Sequence, residues 1–191
     1  MTLLASFNHP VADSQRAFRR ILKAMSEPGV MVMLPLQQGW GDLSPAATAT
    51  LLTLVDNETA LWIDPALDGD TLRSNLRFHI GVPSCEARCA PFALTHAAAD
   101  PDPLAFAAGD NLAPETATTL IIDLPALSGG LTLRLNGPGI RETRAIAPQL
   151  PPRVLHYLRE RPHHFPQGID LIFTCGESMM AVPRTTQVEV C

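Results

Sequence analysis

The sequence predicts an α/β fold, a mixed sheet with helices packed on its faces, and three observations carry that prediction. Helical periodicities alternate with short apolar runs early in the chain, whereas hairpin-like strands cluster late. Hydrophobic residues make up 46% of the 191 positions and charged residues 17%, a balance that argues for a compact core and against disorder. No internal repeat and no clear linker divides the chain, so a single domain over 1–191 is expected.

Asp13 or Ser14 can cap a first helix in which Phe18, Ile21, Leu22 and Met25 recur at helical spacing, and Pro28-Gly29 ends it. Val30 to Leu34 is an apolar run suited to a strand. Ser44-Pro45 reads as an N-cap followed by proline at the first helical position, opening an Ala/Leu-rich helix to about Val55. A strand is expected over Thr59 to Ile63, then a helix over Thr71 to Phe78 with Leu72 and Leu76 stacked one turn apart. Further strands are expected at Phe92 to Thr95, Thr119 to Leu124, Leu131 to Leu135, Ile169 to Thr174, Met179 to Val182 and Thr186 to Val190. Pro152 to Glu160 reads as a last helix with Val154, Leu155 and Leu158 inward. Ser128-Gly129-Gly130 fits a hairpin turn joining two of those strands, and the Ala-, Asp- and Pro-rich stretch from Ala97 to Pro114 is expected to be a mobile loop.

Fourteen basic residues against nineteen acidic ones give a formal charge of -5, and no Lys/Arg run tracks a phosphate backbone, so nucleic-acid binding is disfavoured. No secretory leader pattern opens the sequence and no stretch approaches the ~20 apolar residues of a membrane span; a cytoplasmic protein is expected. Cys85, Cys89, Cys175 and Cys191 are then reduced thiols. The Cys85–Cys89 spacing, with His79 and His96 nearby, falls within zinc-ligand ranges, but no second close Cys or His pair completes a structural site, and no bound metal is expected.

Arg184 beside Thr185 and Thr186 is the best local set of donors for an oxyanion or a partner carboxylate. Between apolar Val182 and Val188, structural anchoring or a subunit contact outweighs substrate binding there. Gly137-Pro138-Gly139 reads as a tight turn after a strand; an anion-binding nest is weakened by Pro138, which lacks an N–H. Cys175-Gly176 is the only passable nucleophile context, with His156, His163 and His164 as bases nearby in sequence, and nothing assigns them to one site. Arg77 and His79 end a helix, where cationic side chains satisfy terminal carbonyls; their second reading is a subunit surface or a ligand pocket.

Several strings carry a resemblance to a known family. They are Phe7-Asn8-His9-Pro10-Val11 with Asp13-Ser14-Gln15, Phe18-Arg19-Arg20-Ile21-Leu22, Ala24-Met25-Ser26-Glu27-Pro28-Gly29, Leu52-Thr53-Leu54-Val55-Asp56-Asn57-Glu58-Thr59 and Leu76-Arg77-Phe78-His79-Ile80-Gly81. Later come Leu135-Asn136-Gly137-Pro138-Gly139-Ile140, Phe165-Pro166-Gln167-Gly168-Ile169-Asp170-Leu171 and Ala181-Val182-Pro183-Arg184-Thr185-Thr186. In order and spacing the chain resembles the PhnH phosphonate-metabolism family, the H subunit of the bacterial carbon-phosphorus lyase complex.

The resemblance implies a three-layer α/β/α fold similar to the large domain of pyridoxal-phosphate (PLP)-dependent transferases. It also implies a non-catalytic or accessory subunit that joins the G, I, J and L subunits and forms a homodimer when isolated. In such a complex ATP gives up adenine as the phosphonate attacks the ribose, yielding a ribose 1-alkylphosphonate 5-triphosphate; a radical step in the J subunit, using S-adenosylmethionine and an iron-sulfur cluster, then breaks the carbon-phosphorus bond. No cofactor is expected on this chain. A pyridoxal enzyme needs a lysine for its Schiff base, and the only lysine, Lys23, sits beside Arg19 and Arg20 on the first helix, where a solvated charge is the ordinary state. The rival readings are a stand-alone small-molecule enzyme using Cys175 or the Arg184 cluster, and a homodimeric module binding a phosphonate or nucleotide.

Overall fold

The structure is a computed structural model and describes residues 3–190. Its helices are α1 (Pro10–Ser26), α2 (Pro45–Leu54), α3 (Asp70–His79) and α4 (Pro152–Glu160). Its strands are β1 (Val32–Met33), β2 (Leu61–Ile63), β3 (Phe92–His96), β4 (Thr119–Asp123), β5 (Leu133–Asn136), β6 (Arg144–Ile146), β7 (Asp170–Cys175), β8 (Ser178–Val182) and β9 (Gln187–Val190).

α1 opens earlier than expected. Its N-cap is His9, because Pro10 suits the first helical position and gives up no intrahelical hydrogen bond. Asp13 is therefore inside the helix, where its carboxylate reaches back to accept from the His9 backbone N–H at 2.8 Å. The inward stripe also differs. Ala17, Ile21 and Ala24 are buried, whereas Phe18 and Leu22 are 49% and 55% exposed. α2 follows the expected pattern, with Ser44 Oγ accepting from the Ala47 N–H at 3.1 Å and Pro45 at the first position. Every residue from Ala46 to Leu51 is buried, so this helix lies within the core rather than along its edge.

The main sheet has six strands in the order β1-β8-β7-β4-β3-β2. β2, β3, β4 and β7 are parallel, and β8 and β1 add antiparallel partners. The register aligns Leu94, Ile121, Ile172 and Ala181 across four strands on one face, and Ala93, Leu120, Leu171 and Val182 on the other. Because side chains alternate along a strand, two cores result. The first set packs with residues of α1, α2 and α3; the second packs with Val154, Tyr157 and Leu158 of α4 and with Leu133, Leu135 and Val188 of a separate antiparallel sheet, β6-β5-β9. The molecule is thus α/β with a mixed central sheet and both faces covered.

That second sheet corrects two expectations. Ser128-Gly129-Gly130 does not close a hairpin, since β4 and β5 lie in different sheets, and the turn carries the chain from one to the other. β6, not anticipated, pairs Leu133 with Ile146 and Leu135 with Arg144; its charged flanks hide a short edge strand with a single buried residue. The 97–114 segment is pinned rather than loose. It holds short 3-10 turns, Asp102 accepts from the Leu104 N–H at 3.0 Å, and buried Phe106 meets Trp62 edge-on with centroids 5.2 Å apart. No helix among the described residues is long and apolar enough to cross a membrane.

Gly137-Pro138-Gly139 follows β5 and docks on the end of α1. Gly139 has φ +82°, and a Cβ there would stand 1.9 Å from the Ser26 carbonyl oxygen. Gly139→Ala is expected to cost about 3 kcal/mol or more in urea unfolding, since left-handed strain adds to backbone overlap. Gly176→Ala, at φ +55° with nothing within 4 Å of the added carbon, is expected to cost about 1 kcal/mol, the strain alone.

Candidate functional site

Asp170 begins β7 and Arg184 follows the end of β8, so the antiparallel pairing of these strands brings the two side chains together. Arg184 Nη2 lies 2.6 Å from Asp170 Oδ2, Nε contacts both carboxylate oxygens at 3.2 Å, and the Arg184 backbone N–H donates to Oδ1 at 2.8 Å. The remaining arm, Nη1, donates to the Pro114 carbonyl at 2.7 Å. Arg184 therefore spends its donors on tying three segments together, and Asp170 balances its charge. Gly168 permits this closure. A Cβ there would sit 3.0 Å from Arg184 Cβ, at a φ of +136° that other residues avoid.

Thr185 and Thr186 turn the chain into β9. The Thr186 N–H donates to the Pro183 carbonyl at 2.9 Å, and the residue is 1% exposed with Oγ1 without a partner among the described residues. Facing the same space is the segment after α4. Arg161 closes α4 in the left-handed conformation, φ 43°, with its N–H donating to the Tyr157 carbonyl. Its Nε and Nη2 are buried without a partner among the described residues, as is Nε2 of His163. Burial pulls the Arg161 guanidinium below its ordinary value and does the same to the His163 imidazole, while it pushes the Tyr157 phenol up. Arg161, His163, Arg184, Thr185 and Thr186, with Pro138, Phe165 and Gln187, line a cavity of about 510 Å³.

A second cavity, of about 620 Å³, opens at the carboxyl ends of β3 and β4, the place where open α/β sheets commonly bind ligands. Asp123 lies at its floor and is already engaged, accepting from the Ser44 N–H at 2.7 Å and the Thr174 hydroxyl at 2.8 Å. Nε2 of His96 is buried there without a partner among the described residues. Leu131, Leu133, Pro148, Leu150 and Leu155 make the walls apolar.

The remaining predicted residues lie elsewhere. His79 stacks on Trp40 with centroids 5.1 Å apart, and its Nε2 is 3.0 Å from the Leu4 carbonyl oxygen. Asn75 accepts from the Leu4 N–H at 2.7 Å and Trp40 Nε1 donates to the Ala5 carbonyl at 3.1 Å, so His79 belongs to a clamp on the N-terminal segment. Arg77 is exposed beside the Asp68–Arg73 pair in a separate cavity. Lys23 pairs on the surface with Glu27 at 2.6 Å. Cys85, Cys89 and Cys175 are free thiols, Cys191 lies outside the described residues, and no group of three or more His, Cys, Asp and Glu gathers as a metal site among the described residues.

Cys175 is not positioned as a nucleophile. Its Sγ donates to the Pro125 carbonyl at 3.4 Å, and burial, with the Asp123 charge, pushes the thiol up, whereas thiolate chemistry needs the opposite. Of the histidines near it in sequence, His156 and His164 are exposed, and His163 faces the Arg161 cavity. Arg161 and Asp123 escaped the sequence reading, and His96 entered it only as a neighbour of the Cys85–Cys89 pair. The signal for Arg161 was weak, because a cation just past a helix end is ordinarily explained by the helix dipole.

Two outcomes follow from this geometry. Arg184→Met is expected to lower stability by about 2–4 kcal/mol, and adding Asp170→Asn should recover part of that loss, because the single change leaves a carboxylate without its counter-charge in a mostly buried site; denaturation of the double-mutant cycle checks it. Under iodoacetamide at neutral pH, peptide mapping should find exposed Cys89 alkylated well before Cys175.

Comparison with known proteins places these features in context. The family model described as "Bacterial phosphonate metabolism protein (PhnH)" matches residues 5–189. The chain is 35% identical over 188 residues to the alpha-D-ribose 1-methylphosphonate 5-triphosphate synthase subunit PhnH of Rhizobium meliloti (strain 1021), covering 96% of this chain and 94% of that protein. It is also 35% identical over 182 residues to the putative C-P lyase subunit protein HtxG of Stutzerimonas stutzeri, covering 92% of this chain and 86% of that one. A match that runs through α1, the β5 turn, the Asp170–Arg184 pair and both cavities leaves one conclusion: the chain belongs to the PhnH family of bacterial phosphonate metabolism.

Proposed function

We propose that this chain is an accessory subunit of a carbon-phosphorus lyase assembly, supporting formation of a ribose 1-alkylphosphonate 5-triphosphate from ATP and an alkylphosphonate. The observation that carries this reading is the near end-to-end likeness to a subunit of the methylphosphonate-ribosyl triphosphate synthase. The site geometry agrees with an accessory role. The best candidate nucleophile is a thiol held in its protonated form, and the most prominent arginine is neutralised by its own aspartate.

The surface supports the same reading. Val11, Phe18 and Leu22 recur at i, i+7 and i+11 on the outer face of α1, 75%, 49% and 55% exposed, and Met33 nearby in sequence is 53% exposed. A row of this kind on a chain with so few charges is area that an assembly would bury. In this proposal the partners are the G, I, J and L subunits, the isolated chain forms a homodimer, and the assembly works in the cytoplasm. ATP is consumed on other subunits, and the J subunit holds the iron-sulfur cluster and S-adenosylmethionine. The covered faces of the central sheet support kinship with the three-layer α/β/α large domain of PLP-dependent transferases. PLP chemistry is not part of the proposal, since Lys23 is a surface residue paired with Glu27.

Native mass spectrometry of this chain co-expressed with G, I, J and L, beside the chain alone, tests the reading. A stoichiometric mixed complex is the expected result, with a homodimer in the control. A chain that stays out of every complex while G, I, J and L assemble without it would overturn the assignment.

A further inference from the structure

The cavity between α4 and the start of β9 has an unusual electrostatic composition. Arg161 is largely withdrawn from water, and its unpartnered atoms are Nε and Nη2, the edge of the guanidinium whose parallel N–H groups grip two oxygens at once. Arg184 and Asp170 stand next to it but cancel each other. A buried cation is ordinarily paired, because an uncompensated one is costly. Among the described residues no carboxylate lines the cavity.

Two more groups without a partner among the described residues belong to residues that line the same cavity. Thr186 Oγ1 is a hydroxyl buried with its residue at 1% exposure, and His163 Nε2 is a ring nitrogen buried without a partner. Buried polar atoms are nearly always satisfied, so three side chains left unsatisfied around one cavity mark a place where an external group completes the set. Their chemistry is that of donors. A guanidinium only donates, and a hydroxyl and a neutral imidazole each offer one hydrogen.

We propose that Arg161, His163 and Thr186 form a binding site for a tetrahedral oxyanion, the terminal phosphate or phosphonate group of a small molecule. Arg161 takes two oxygens through Nε and Nη2, and Thr186 and His163 donate to the oxygens that remain. The cavity, about 510 Å³, exceeds what a bare oxyanion fills. Pro138 and Phe165, the latter 77% exposed, offer apolar surface to the rest of the ligand. The site requires only the folded chain and does not rest on the assembly reading.

Thermal unfolding of the isolated full-length chain with added inorganic phosphate, methylphosphonate, sulfate or acetate at constant ionic strength tests the site. Phosphate and methylphosphonate are expected to raise Tm saturably, with a dissociation constant in the millimolar range or tighter, and acetate, which is planar, is not. A larger shift with methylphosphonate than with phosphate identifies the phosphonate as the source, and the reverse identifies phosphate. Arg161→Met should abolish the shift while leaving the ligand-free Tm unchanged or higher, since it removes an unpaired buried charge. A purely structural arginine predicts a lower ligand-free Tm. Thr186→Val, nearly isosteric, should weaken the shift at least several-fold and keeps the test valid if Arg161→Met folds poorly. The absence of any saturable shift in the unaltered chain, an equal shift with acetate, or shifts undiminished in both variants would overturn the proposal. Native mass spectrometry of the assembly is a separate readout, so either idea can fail alone.

Discussion

The pairing of Arg184 with Asp170 is the interaction on which the second half of the molecule depends. It joins the first residue of β7 to the junction between β8 and β9, and the third arm of the guanidinium reaches the Pro114 carbonyl. β7 is buried on both faces at the centre of the main sheet, and β9 belongs to the smaller one. The ion pair therefore fixes how the two sheets meet. A largely buried pair of this kind contributes modestly to net stability, because desolvation offsets much of the attraction. Its consequence is geometric: it sets where Thr186, Pro114 and Asp170 lie relative to α4.

That cancellation of charge is also what distinguishes two arginines that are equivalent in composition. Arg184 has a carboxylate and carbonyls for its donors, so it behaves as part of the framework. Arg161, at the end of α4, has neither, and its surroundings remove water without supplying a counter-ion. The cavity between them is held by an anchored wall on one side and an unsatisfied wall on the other. Donors without internal partners can turn to an anion without first losing hydrogen bonds. The apolar cleft at the ends of β3 and β4 has the opposite character, since its carboxylate, Asp123, is already engaged with Ser44 and Thr174.

The layout of α1 ties packing to assembly. Small residues, Ala17 and Ala24 with Ile21, let the helix lie close against the core, and this choice turns Phe18 and Leu22 outward. A helix stripe of alanines buries less apolar area than one of phenylalanine and leucine would. The larger side chains are left where a monomer gains nothing from them, which is understandable if a partner surface covers them.

Patterns local in the chain were legible without coordinates. Ser44-Pro45 placed the start of α2, Pro152 to Glu160 marked α4 to the residue, and the strands from Phe92 onward, β6 excepted, were found within about two residues, because caps, prolines and periodicity act over a single turn or strand. Family membership was legible too, since it rests on ordered strings of residues. The face that α1 buries was not, because Phe18 and Ile21 are equally apolar in sequence and only the neighbouring helix selects between them. Nor was the division into two sheets, which makes Ser128-Gly129-Gly130 a crossing rather than a hairpin. The contrast between Arg184 and Arg161 was beyond the sequence for the same reason. Both are arginines at the ends of regular elements, and what separates them is the distance to Asp170 and the exclusion of water, which arise only when remote segments are packed together.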